Sequence, residues 1–297
     1  MQHTTVLLNE TIDGLDIHPG EIVFDGTLGG GGHSAAICAR FGANVTLLAA
    51  DRDEGALELA KARLENYPCK KIFALKSFDE ISSILETAPF QKISRAVLDL
   101  GISSIQLDTS GRGFSFLRDE PLLMTMNAHP EGKMITAYDV VNSWSEQTLS
   151  DIFSGFADEK FPKRIARHIV EARKLAPIKT TFQLADIVKE AIPAKFRNGK
   201  THPATQVFLA IRMAVNGELQ ILERGLQNIT DVLVPGGRLA VISFHSVEDR
   251  MVKNIFKKLV SEGSVVLVNK KPIVPSREEI SSNPRSRSAK LRIVERI

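Results

Sequence analysis

The chain has 297 residues, enough for a substantial core, with the 43% apolar and 25% charged content of an ordinary globular protein. No apolar run approaches the roughly 20 residues of a membrane span, and Met1-Gln2-His3-Thr4-Thr5 lacks the basic-then-apolar pattern of a secretory signal. Net charge is only +3, yet Arg250 to Ile297 carry +8 against −5 for the residues before them, a basic segment suited to a polyanionic partner. The two cysteines, Cys38 and Cys69, show neither metal nor redox spacing, so no metal site and a reducing cytoplasm are expected.

In chain order, a short apolar strand at Glu21–Asp25 runs into Asp25-Gly-Thr-Leu-Gly-Gly-Gly-Gly-His33-Ser34, and a helical stretch follows from Ala35 to Arg40. A strand, a glycine turn and a helix N-terminus form the first βα corner of a nucleotide-binding sheet. The acid at Asp25 departs from the dinucleotide pattern G-x-G-x-x-G and suits a ligand with a positive charge. Further strands are predicted at Val45–Asp51, Lys71–Lys76 and Ser94–Asp99, with a helix over Glu54–Asn66 whose Ala56, Leu57, Ala60 and Leu64 recur at helical spacing. Strands alternating with helices predict a parallel sheet.

From about Ile105 to Lys200 the strand signals vanish. Gly111–Phe116 and Pro121–Asn127 read as an ordered loop, followed by three amphipathic helices. Their apolar faces are Leu149, Ile152, Phe153 and Phe156, capped by Ser145; Ile165, Ile169, Ala172 and Ala176; and Leu184, Ile187, Val188 and Ala191, opened by Thr180 or Thr181. Residues 106–200 therefore read as a helical domain inserted between 1–105 and 201–297. Helices at Thr205–Asn216 and Glu218–Leu233, a turn at Pro235-Gly236-Gly237 and a buried strand at Gly237–Phe244 resume the α/β pattern. Two closing strands, Val265–Asn269 and Leu291–Ile297, suit a Rossmann-like sheet of the class I methyltransferase kind, mostly parallel with an antiparallel last strand.

Asp51 closes the second strand, where an acid accepts hydrogen bonds from a ribose diol; the lesser alternative is a helix-capping acid. Ser77-Phe78-Asp79 follows the third strand, and Phe78 is placed either to pack on an adenine or to fill the core. Asp99 ends the fourth strand, at the edge where ligand and substrate meet, and could orient an attacking exocyclic amine and take its proton. His245, after the fifth strand, could be a base, a hydrogen-bond donor or a helix cap. Lys160, Lys163, Arg164, Arg167 and Lys174 form one basic stripe, and Asn283 to Arg292 hold a second cluster, both suited to phosphates.

These segments together resemble the RsmH (MraW) family of S-adenosylmethionine-dependent methyltransferases of small-subunit ribosomal RNA. The resemblance runs through His3–Leu8, Asp25–Ser34, Asp51-Arg52-Asp53, Asp99–Asp108, Gly111–Phe116, Phe161–Val170, His202–Thr205, Ser243–Arg250 and Asn283–Arg292. It implies methylation at N4 of a cytosine in the decoding region of 16S rRNA, within an assembled small subunit. It also implies cofactor contacts at Gly31, Gly32, His33, Asp51, Phe78, Asp99 and Gln106, of which Gln106 and His33 rest on the resemblance alone. One stretch departs from the family's Pro-Leu-Asp-Met-Arg-Met-Asp: here it is Pro121-Leu122-Leu123-Met124-Thr125-Met126-Asn127. The altered loop leaves a second reading, an RNA-binding assembly factor that holds the cofactor without turnover. A dehydrogenase on the same sheet type is a third. Oligomeric state is not legible.

Overall fold

The computed structural model describes residues 5–103, 106–107, 110–127, 134–197 and 202–297. His3, Thr4, Ser104, Ile105 and Asp108 of the motifs above lie outside the described residues, as do both junctions expected for the inserted domain. The chain divides into two compact units, one made of Met1–Gly101 and Leu219–Ile297, the other of Ile102–Glu218.

The first unit is built on a seven-stranded sheet: β1 Ile22–Asp25, β2 Thr46–Asp51, β3 Lys70–Leu75, β4 Ile93–Asp99, β5 Leu233–Ser243, β6 Val265–Leu267 and β7 Lys290–Arg296. Their order is β3-β2-β1-β4-β5-β7-β6. The pairs from β3 to β5 are parallel, and β7 runs antiparallel to both β5 and β6. The mostly parallel sheet with an antiparallel last strand is therefore present.

Alternate side chains of each strand feed two cores. Val23, Leu47, Ala49, Val97, Ala240, Ile242, Leu291 and Ile293 face one way, against α1 Leu8–Leu15, α2 Gly32–Phe41 and α3 Glu54–Leu64. Phe24, Leu48, Ala50, Leu98, Leu239 and Val241 face the other, against α4 Ile81–Leu85, α10 Glu218–Val232 and α11 Ser246–Ser261. A sheet buried on both faces explains the near-continuous apolar runs that mark these strands in the sequence.

The second unit is helical: α5 Ala137–Ser143, α6 Glu146–Ala157, α7 Pro162–Leu175, α8 Thr181–Ala191 and α9 Thr205–Asn216. The expected caps form, Ser145 accepting from the Thr148 amide and Thr180 from the Gln183 amide. Leu149, Phe153, Ile165, Ile169, Leu184 and Val188 close one core with Val207, Ala210 and Ile211 of α9. Helix α9, placed by the sequence reading with the returning sheet, thus packs into the helical unit, because its apolar face completes that core.

Three other features differ from expectation. The Pro235-Gly236-Gly237 turn is a bulge inside β5, where the register with β4 jumps between Ile93 and Arg95 and Gly236 takes φ 76°. The polar connection before β7 holds a short helix, α12 Arg277–Ser282. Cys38 of α2 and Cys69, just before β3, are joined as a disulfide with their Cα atoms 5.4 Å apart, although 31 residues separate them in sequence. Spacing could not reveal that pair, because only the packing of α2 beside the sheet brings the two together. Among the described residues, no helix is long and apolar enough to cross a membrane.

Candidate active site

The glycine turn is held from below by two carboxylates. Asp25, at the end of β1, accepts hydrogen bonds from the Ser34 hydroxyl (2.6 Å) and the Thr27 amide (3.2 Å). Asp51, at the end of β2, accepts from the Gly29 amide (2.8 Å) and the Asp53 amide (2.8 Å). Asp53 then caps α3 through the Gly55 and Ala56 amides. Asp51 therefore braces the turn and forms part of a helix entry. Gly31 sits at φ 71°, in the left-handed region that favours glycine, and a Cβ on Gly32 would collide with the Thr5 hydroxyl. Bare main chain at the N-terminus of α2 is thus a requirement of the packing.

Asp99 ends β4 beside this turn. Its amide donates to Thr27 Oγ1 (2.6 Å), and its Oδ2 lies 3.8 Å from Nδ1 of the buried His33. The other oxygen, Oδ1, is buried without a hydrogen-bond partner among the described residues. Burial pushes the Asp99 carboxyl up to about 8, helped by the Asp25 and Glu248 carboxylates. Burial likewise raises Asp25 to about 6 against the pull of its Ser34 and Thr27 hydrogen bonds, and it raises Asp51. Acids gathered at the carboxyl ends of adjacent parallel strands, each costly to ionise alone, form a cluster that favours a cationic ligand.

Two further expected site residues have well-defined surroundings. His245 is the N-cap of α11: its Nδ1 accepts from the Glu248 amide (3.3 Å), and its Nε2 lies 3.0 Å from a Glu248 carboxylate oxygen, though misaligned for a hydrogen bond. A ring with one nitrogen engaged by the backbone and the other against a carboxylate is a cap, the third of the roles open to it. Phe78 is only 9% exposed, and its ring edge lies where a Cβ on Gly225 would stand. The ring packs into the core beside α10. Thr27, Ser34 and Glu248 were missed by the sequence reading. The first two lie inside the glycine motif, and hydroxyls at a phosphate-type turn were the available signal; Glu248 gave none.

A model of the MraW methylase family matches residues 1–297. The chain belongs to this family. Among its relatives, proteins named ribosomal RNA small subunit methyltransferase H from Paenibacillus sp. and Clostridium botulinum are 43% and 44% identical, each covering 100% of this chain and 99% of the relative. The crystal structure of an rRNA methylase from Streptococcus thermophilus is 11% identical with a TM-score of 0.46, covering 100% of this chain and 99% of that one.

In the helical unit, Gln106 is buried, its Oε1 accepting from the Ser103 amide (3.0 Å). The stretch that departs from the family's usual pattern is firmly held. Asn216 of α9 donates to the Met124 carbonyl (2.7 Å) and accepts from the Met126 amide (2.8 Å), while Arg112 donates to the Thr125 and Met126 carbonyls. These contacts reach main chain, so the unusual Leu123, Thr125 and Asn127 side chains do not unfasten the segment. Lys160, Lys163, Arg164, Arg167 and Lys174 are all exposed, as a phosphate-binding stripe requires. In the second basic cluster Lys290 and Arg292 pair with Asp249 (2.9 and 2.7 Å), and the Arg285 and Arg287 side chains are exposed.

Proposed function

We propose that this chain methylates the N4 amine of a cytosine in the decoding region of 16S rRNA, using S-adenosylmethionine, in the bacterial cytoplasm. Its substrate would be the assembled small subunit. The observation that carries the reading is the convergence of Asp25, Asp51 and Asp99 around the glycine turn, with one Asp99 oxygen buried and unpartnered. Such a cluster fits a cationic nucleoside and fits a dinucleotide, with its two phosphates, poorly. Names carried by relatives sharing 43–44% of their residues supply the substrate class.

Gly31, Gly32 and His33 would bound the cofactor's amino-acid end, the free lone pairs of Asp51 would receive its ribose hydroxyls, and Phe78 is kept beside its adenine on the family resemblance. Gln106 is kept as a contact on the family resemblance. When bound, S-adenosylmethionine supplies a methyl group on a positively charged sulfur. With its carboxyl ionised by the arrival of the cationic cofactor, Asp99 would accept the N–H of the incoming amine, which is a poor nucleophile because its lone pair is delocalised into the ring, and hold the released proton at Oδ1. The protein's remaining task is orientation, since proximity provides much of the acceleration in such transfers.

The test is tritiated methyl incorporation into undermethylated small subunits, followed by mass analysis of the nucleosides. Wild type is expected to give N4-methylated cytidine and Asp99→Ala none. Incorporation elsewhere, or full activity in the variant, would remove the assignment or the role of Asp99. The factor without turnover would show no incorporation by wild type; the main-chain anchoring of the altered loop by Asn216 and Arg112 argues against it.

A further inference from the structure

We propose that Phe161 and Phe196 of the helical unit form a stacking platform for a single-stranded nucleotide of the ribosomal RNA. The inference rests on the methyltransferase reading and adds a specific subsite to it. Phe161 opens α7, its amide donating to a Glu159 carboxylate oxygen (2.9 Å). The Phe196 ring leans on it, with centroids 5.2 Å apart and planes at 49°. Phe161 packs at the margin of the helical core, but Phe196 does not belong to that core and is 47% exposed.

The exposed ring stands on a rigid seat. It ends a short 3-10 turn, Ala194–Phe196, and the next residue, Arg197, donates from Nε to the Ile192 carbonyl (2.8 Å) and from Nη2 to the Glu190 carbonyl (3.0 Å). Those bonds anchor the turn to the end of α8. An aromatic ring held half in water by a braced turn gains little from burial, so the position asks for a partner. Cations surround it: Lys195 Nζ sits 5.0 Å from the Phe196 ring centroid, and Lys160, Lys163 and Arg164 are exposed beside Phe161.

Exposed aromatics among lysines and arginines are what single-stranded nucleic acid requires, a π-face for the base and positive charge for its phosphates. The complementarity is specific to this place. The basic cluster near the chain's end lacks aromatics, and there Lys290 and Arg292 are neutralised by Asp249.

The experiment compares wild type, Phe196→Leu and Phe196→Trp in steady-state methylation of undermethylated small subunits, alongside filter binding of a labelled oligouridylate. Leucine keeps apolar bulk against Phe161 but has no stacking face; tryptophan restores one. Phe196→Leu is expected to raise KM for subunits about tenfold and weaken oligouridylate binding to a similar degree, the scale of one stacked base. Its kcat and its affinity for S-adenosylmethionine are expected to stay at wild-type values, and Phe196→Trp to lie within about twofold of wild type on the same scale. A wild-type KM in Phe196→Leu overturns the platform, as does a raised KM that tryptophan fails to restore. A raised KM with unchanged oligouridylate binding would assign the ring to a ribosomal protein, and that too overturns it. If wild type itself transfers no methyl, the methyltransferase reading fails first; if it does and Phe196→Leu matches it, only the platform fails.

Discussion

Asp99 shows how a single side chain can be costly to a fold and useful to a reaction. Its carboxyl, raised to about 8 from an ordinary 3.8, is held in its protonated form by burial and by the nearby Asp25 and Glu248. A carboxyl that protonates more readily folded than unfolded stabilises the fold in that protonated form. The contribution is whole below the unfolded value and is lost as pH climbs through the folded one. Asp99→Asn cannot ionise and escapes the loss. Urea unfolding without cofactor is expected to show the variant more stable than wild type by roughly 2–4 kcal/mol at pH 8.5, with the gap closing towards pH 4. A gap independent of pH would show that Asp99 is not held neutral. The same acids should lose protons when a cationic ligand arrives. Calorimetry of S-adenosylmethionine binding near pH 7 in phosphate and in Tris is therefore expected to give enthalpies that differ by the buffers' ionisation heats, with proton release. Equal enthalpies in both buffers would count against the acidic cluster.

At the scale of elements, the helix that follows the glycine turn is tied down at both ends of its role. Its N-terminus carries Gly32 and His33, while Cys38, a turn and a half later, is bonded to Cys69 ahead of β3. Closing a loop of this length restricts the unfolded chain and is worth about 2–4 kcal/mol. Such a bond is unusual in a reducing compartment, and burial of both cysteines keeps reductants from it. Cys69→Ala is expected to lower unfolding stability by about that 2–4 kcal/mol without reductant. Reductant added to unfolded and refolded wild type should reproduce the loss and leave the variant unmoved. Equal stability of the two proteins without reductant would show that the bond contributes nothing. Helix α9 makes a different point. Its 3.6-residue periodicity was plain in the sequence, but periodicity states only that a face is buried, and Asn216 at its end shows against what: the loop at Met124 and Met126.

Across the whole molecule, charge is distributed in two ways that composition alone does not separate. Lys163 and Arg164 stand exposed on α7, whereas Lys290 and Arg292 are consumed by Asp249 in joining β7 to α11. Counterion release makes each phosphate contact visible as salt dependence. Replacing Lys163 and Arg164 together by alanine is expected to lower the slope of log affinity against log salt by about 1.5, for small subunits titrated between roughly 50 and 200 mM salt. Lys290→Ala is expected to leave that slope alone and to lower stability instead. If Lys290→Ala changed the slope as much as the α7 pair, the assignment of its charge to Asp249 would be wrong.

What the sequence determined by itself was whatever depends on local pattern. Strand and helix placement followed from period and punctuation, the antiparallel closing strand from two β-rich runs, and the glycine turn with Asp25, Asp51 and Asp99 from their positions at strand ends. Only the tertiary structure decided which residues those positions serve. It turned Phe78 inward against Gly225, made His245 a cap, brought Thr27, Ser34 and Glu248 to the acids, joined Cys38 to Cys69, and gave α9 to the helical core. The reason is physical: a side chain's role depends on neighbours distant in the chain. Hydrophobic period and turn chemistry are written within a few residues, but contact, burial and the pKa shifts they cause exist only once the chain has closed on itself.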